Sequence, residues 1–181
     1  RYGTIRPEDL LHLAQDHRID TLALTDINNT SASLDFVRLD TKYKIQPVLG
    51  VDFRNGAEQQ FIILARSNQG YQKINTYLSE FLHQDKIIIP EKAKKLQDTF
   101  VIYPFHSHHP ITLESHEYLG VKASEINQLR FSDWNKKRVK LVALQTVSFL
   151  RKTPDEEKRG KKYSRTYVHT VCLGLLTTIH C

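Results

Sequence analysis

Short apolar runs alternating with amphipathic helical stretches predict an α/β fold with a largely parallel sheet. Three observations carry the prediction. Apolar runs of strand length occur at 21–25, 47–53, 61–65, 100–103, 118–121 and 141–147. Helical periodicity fills several of the intervals between them, and polar turn residues close several of the runs.

The first helix opens at Pro7-Glu8-Asp9, where proline suits the first helical position and acids suit the positive end of the helix dipole. Leu10, Leu11, Leu13 and Ala14 supply its apolar stripe. The first strand ends at Asp26, and Asn28-Asn29-Thr30-Ser31 is a turn able to cap a second helix containing Ala32, Leu34, Phe36, Val37 and Leu39. The second strand ends at Asp52 and the turn Arg54-Asn55-Gly56. Only that turn separates it from 61–65, so these two are expected to be antiparallel neighbours. Tyr71, Ile74, Tyr77, Leu78, Phe81 and Leu82 fall at helical spacing, and the aromatic Tyr71, Tyr77 and Phe81 read as core rather than as a base-stacking platform. Ile126, Leu129 and Trp134 mark a last helix before strand 141–147. Sites in such folds gather beyond the carboxyl ends of the strands. The residues there are Asp26, Asp52, His106, Lys122 and Gln145, and the strand ends at Asp26, Asp52 and 103–106 are expected to face one rim.

The 181 residues make one ordinary domain, 40% hydrophobic and 25% charged. No apolar stretch is long enough for a membrane span, and no secretory signal opens the chain. Cys172 and Cys181 alone provide neither a disulfide framework nor a metal pattern, so a cytoplasmic protein with no membrane partner is expected. The absence of methionine and the start at Arg1 read as a fragment. Of the net charge of +6, the run 151–165 holds +4, which leaves about +2 on residues 1–150 and predicts weak DNA binding by that stretch alone.

Asp26 and Asp52 are the candidate metal ligands, because paired carboxylates at a strand-end rim suit a divalent cation through hard oxygens. Each also has a structural reading: Asp26 capping a turn through its side chain, and Asp52 pairing with Arg54 or a backbone amide. His106, His108 and His109, with His116 nearby, form the densest imidazole cluster and suit zinc, copper or nickel. They lie between Pro104 and Pro110 without a fixed carboxylate or thiolate, and read as an exposed polar loop with adventitious metal binding. Ser31, Ser33 and Ser124 lack a nucleophile motif, and no phosphate-binding glycine loop is present.

The segments IRPEDLLHLAQDHRIDTLALTD, QPVLGVDFRNG and FIILARSNQGYQKINTYLSEFL resemble successive parts of the amino-terminal PHP domain of bacterial DNA polymerase III alpha subunits. YLGVKASEINQL and KLVALQTVSF extend the resemblance to about residue 149. It implies a PHP-like domain over 1–150, folded as a partial or distorted seven-stranded α/β barrel with mostly parallel strands. It also implies a parent activity of DNA-directed DNA synthesis that uses magnesium, with the PHP domain as scaffold. The implied partners are the rest of the alpha subunit and, through it, a proofreading exonuclease, the sliding clamp and DNA.

Some PHP domains are metal-dependent phosphoesterases, whose zinc or manganese ligands begin with an H-x-H pair on a strand that would precede Arg1. Their second motif, T-D-H-G-N, reads here Thr25-Asp26-Ile27-Asn28-Asn29, and their third, G-x-E, reads Gly50-Val51-Asp52. The resemblance is closest to a compact variant without metal residues. Asp26 and Asp52 are then vestigial positions, with no catalytic residue and no cofactor in this chain. Two other readings stay open: an active metal-dependent phosphoesterase using Asp26, Asp52 and the histidine cluster, and a free-standing interaction module.

Residues 151–181 diverge. A charged run is followed by VHTVCLGLLTTIHC, which has no charge and no amphipathic period, and poor order is expected. Codons compatible with Val168 to Cys181, read one frame over, spell THRLLRAIDNNTL, similar to a segment expected of alpha subunits at this point. The tail is therefore either native and divergent or read out of frame.

Overall fold

The computed structural model describes residues 5–84, 87–105, 112–132, 134, 140–147 and 170–172. Helix α1 (Pro7–Asp16) starts with proline in its first turn and buries Leu10, Leu11 and Ala14. It packs against α2 (Ser33–Tyr43), which follows β1 (Thr21–Ile27). Strands β2 (Gln46–Asn55) and β3 (Glu58–Ala65) form the expected antiparallel hairpin. Gly56 turns it at φ +62°, a backbone conformation that favours glycine. Helix α3 (Asn68–Leu82) is capped by the Ser67 hydroxyl, which accepts from the Gly70 N–H at 3.2 Å, and buries Ile74, Tyr77, Leu78 and Phe81. Strands β4 (Thr99–Pro104) and β5 (Glu117–Val121) follow. A 3-10 turn (Ala123–Glu125) leads into α4 (Ile126–Phe131). Three short strands complete the set: β6 (Leu141–Ala143), β7 (Gln145–Val147) and β8 (Thr170–Cys172). No helix among the described residues is long and apolar enough to cross a membrane.

Among the described residues, one sheet contains eight strands in the order β6-β5-β4-β3-β2-β1-β8-β7. Six strands share a direction, and β3 and β8 oppose them. The two ends of that order, β6 and β7, are consecutive stretches of chain separated by Leu144 alone. The stretch 141–147 therefore pairs with β5 through its first half and with β8 through its second, so the sheet curls until its ends meet. Counted as one strand, it makes a distorted seven-stranded barrel. The sequence predicts a single strand there; its division at Leu144 is the distortion, and the Leu144 N–H still reaches the Val121 carbonyl at 2.9 Å. Helix α4 stops at Phe131 short of Trp134, and Ile126 is exposed rather than part of the core.

Alternation along the strands separates inside from outside. Ala23, Ile62, Leu64, Ile102, Val142 and Leu144 cluster in the barrel with Val48, Phe100 and Tyr118. On the outer face, Val51, Phe53, Phe61, Ile63, Val101 and Tyr103 pack with α3, and Leu22 and Leu24 pack with α1 and α2. The Tyr103 hydroxyl donates to Glu117 Oε1 at 3.0 Å and accepts from the Ala93 N–H, and burial pushes the phenol well above its usual range.

Gly50 belongs to the inner face. A Cβ there would collide with the Ile63 carbonyl oxygen and sit 2.7 Å from Leu64 Cδ2. Backbone cannot yield as a flexible side chain does, so Gly50→Ala is expected to cost roughly 1–3 kcal/mol in urea unfolding. An unchanged midpoint would mean that β2 and β3 do not approach this closely.

Candidate functional site

β1, β2, β4 and β5 run the same way, so Asp26, Asp52, Tyr103 and Lys122 lie toward one rim. The two carboxylates nevertheless do not meet. The parallel register sets Asp26 beside Val51 and Ile27 beside Asp52. Val51 belongs to the outer cluster, whereas Asp52 pairs across β3 with Ile62 of the inner cluster. Asp26 therefore faces the helices and Asp52 faces the barrel interior.

Asp26 Oδ2 accepts from the Ala32 N–H at 3.4 Å, just before α2. An acid at that point satisfies an otherwise orphaned helix N–H and suits the positive end of the dipole. The polar turn between them is braced locally: Asn29 Oδ1 accepts from the N–H groups of Thr30 and Ser31 at 2.7 and 3.0 Å.

Asp52 is fully buried. Its Oδ2 accepts from Arg54 Nε at 3.0 Å and Arg54 Nη2 at 2.7 Å, and its Oδ1 accepts from Gln59 Nε2 at 2.9 Å. The Arg54 side chain is itself 12% exposed, so the ion pair lies largely out of water. A buried carboxylate is tolerable only when paired and hydrogen-bonded in this way.

Arg54 is held through its backbone by Asn28, whose Oδ1 accepts from the Arg54 N–H at 2.9 Å and whose Nδ2 donates to the Arg54 carbonyl at 2.8 Å. Asn28 takes φ +46° to do so, and its own N–H reaches the Asp52 carbonyl at 3.0 Å. Its amide thus continues the β1–β2 ladder past the end of β1. Asn55 repeats the device toward Ile89, with bonds of 2.8 Å in both directions.

Among the described residues, the groups around Asp52 do not fit a metal ion. The cross-strand neighbours of Asp52 are Ile27 and Ile62, neither of which coordinates, and both of its oxygens are occupied. No group of three or more His, Cys, Asp or Glu able to hold a metal occurs among the described residues. His106, His108 and His109 lie outside the described residues. The side chain of Gln145, in β7, is also outside them, and Lys122 sits just past β5 with Nζ 3.7 Å from Glu125 Oε1. An apolar cavity of about 670 Å³ lies at the opposite mouth, lined by Ile19, Thr21, Phe100, Ile102, Tyr118 and Val142 among others. The Asp52–Arg54 pairing is legible in the sequence, whereas the contact of Gln59 and the clamping by Asn28 are not. Gln59 comes opposite Arg54 only through the register shift after Phe53.

The family model described as PHP domain matches residues 1–153. DNA polymerase III subunit alpha of Buchnera aphidicola subsp. Acyrthosiphon pisum (strain APS) is 25% identical over 101 residues, which is 50% of this chain and 9% of that protein. The error-prone DNA polymerase of Symbiobacterium thermophilum (strain DSM 24528 / JCM 14929 / IAM 14863 / T) is 32% identical over 77 residues, 42% of this chain and 7% of that protein. The chain thus spans less than a tenth of the length of these relatives. With its curled α/β sheet and a match over most of its length, the chain belongs to the PHP domain family.

Proposed function

We propose that this chain is a non-catalytic PHP-type scaffold domain of a replicative DNA polymerase III alpha subunit. The observation that carries the reading is the saturation of Asp52 by Arg54 and Gln59, with Ile27 and Ile62 as its neighbours. A divalent ion at this rim finds no free carboxylate oxygen on Asp52, so no metal-activated water is generated there. The polymerase context rests on the two relatives, both named DNA polymerases. DNA, the rest of the subunit, an exonuclease and a clamp would then be met through the parent chain, and magnesium would serve the polymerase module rather than this domain.

The test is metal content by mass spectrometry after dialysis, together with hydrolysis of a generic phosphodiester in added manganese or zinc. Substoichiometric metal and no hydrolysis above buffer are expected. Manganese or zinc retained at one equivalent, with turnover lost on Asp52→Asn, would replace the scaffold with a phosphoesterase.

A further inference from the structure

We infer that Arg54 is an internal cation standing where a metal would otherwise sit, and that its charge excludes divalent ions from this rim. The inference rests on the metal-free reading above and adds the residue responsible for it. Asp52 is the inward-facing acid at the β1–β2 strand ends and is wholly buried, so it demands a positive partner. Arg54, two residues on along β2, supplies that partner at 2.7 Å. Its planar fork places two nitrogens on one carboxylate oxygen, a geometry a point charge cannot reproduce. A divalent ion bound to Asp52 would need an oxygen at roughly 2.0–2.6 Å. Its charge would then lie within a few ångströms of the guanidinium, in a setting too dry to screen the repulsion. The Asn28 amide ties both backbone polar groups of Arg54, which fixes the point from which its side chain reaches Asp52.

Ligand shortage and charge exclusion are separable. Ile27 is the direct cross-strand neighbour of Asp52, so Ile27→His adds an imidazole on the same face as the carboxylate. If charge is what excludes the ion, that added ligand stays ineffective until Arg54 is neutralised. Zinc alone, titrated by calorimetry into the full chain, is the probe. Ile27→His with Arg54 kept is expected to bind zinc no better than wild type. Ile27→His with Arg54→Gln, which removes the charge and keeps a hydrogen-bond donor, is expected to bind at least about tenfold tighter. Ile27→His with Arg54→Lys keeps a charge without the fork and is expected to stay weak, and near-ultraviolet circular dichroism checks that each variant is folded.

Equal zinc affinity with Arg54 kept and with Arg54→Gln overturns the inference, as does absence of binding in both or tight binding with Arg54→Lys. Stoichiometric zinc in the wild type would instead strike at the metal-free reading itself, so the two failures are told apart.

Discussion

Phe53→Ala is expected to lower the unfolding free energy by roughly 3–5 kcal/mol, the range for emptying a buried aromatic site. Phe53 is fully buried on the outer face of β2, which has β1 on one side and β3 on the other. Its ring centroid lies 5.1 Å from Phe61, 5.6 Å from Tyr77 and 6.4 Å from Phe81. These rings come from β3 and α3, so the cavity is walled by separate elements whose backbones cannot all move in. A loss of that size is a large share of the roughly 5–15 kcal/mol that holds a typical domain. Urea unfolding followed by fluorescence of Trp134 measures it, and a loss below about 1 kcal/mol would show that α3 is not packed on this hairpin as described.

Arg54→Ala is expected to cost a similar amount, about 3–5 kcal/mol, for a different reason. The substitution leaves a fully buried carboxylate with Gln59 as its remaining side-chain partner among the bonds described above. Removing both charges together, as Asp52→Asn with Arg54→Gln, is expected to cost clearly less than Arg54→Ala, because no uncompensated charge remains. The same urea experiment on the single and double variants checks this. If the double variant is no more stable than Arg54→Ala, the pair is not the unit that holds the rim.

Much of the fold is legible in the sequence because the signals are local. Pro7 and the leucines after it mark α1, the Arg54-Asn55-Gly56 signal marks the hairpin although Arg54 and Asn55 still belong to β2 and the turn begins at Gly56, and the Tyr71 to Leu82 spacing marks α3. Closure of the barrel is not legible in this way. It depends on 141–147 changing partners at Leu144, and nothing in that apolar run distinguishes a strand with one neighbour from a strand with two. The strand Thr170–Cys172, which sits between β1 and β7, falls in an uncharged stretch with no amphipathic period, so neither its bounds nor its partners can be read from the sequence.

The candidate site was half legible. A capping role for Asp26 and an Arg54 partner for Asp52 both follow from sequence proximity and turn chemistry. That the two acids face opposite sides does not follow, because β1 is buried on both faces from Leu22 to Asp26 and carries no polar alternation to read. Only the register, Asp26 beside Val51 and Ile27 beside Asp52, decides it. The opposite facing of the acids leaves barrel closure untouched, since closure is carried by 141–147 and not by the rim.

The most direct test of a rim held by an ion pair in place of a metal is a crystal structure grown in manganese chloride, with diffraction recorded at the manganese edge. No anomalous peak is expected at Asp52, with Arg54 Nη2 in hydrogen-bond contact with Asp52 Oδ2. A manganese peak on Asp52, with the Arg54 side chain swung away, would contradict it.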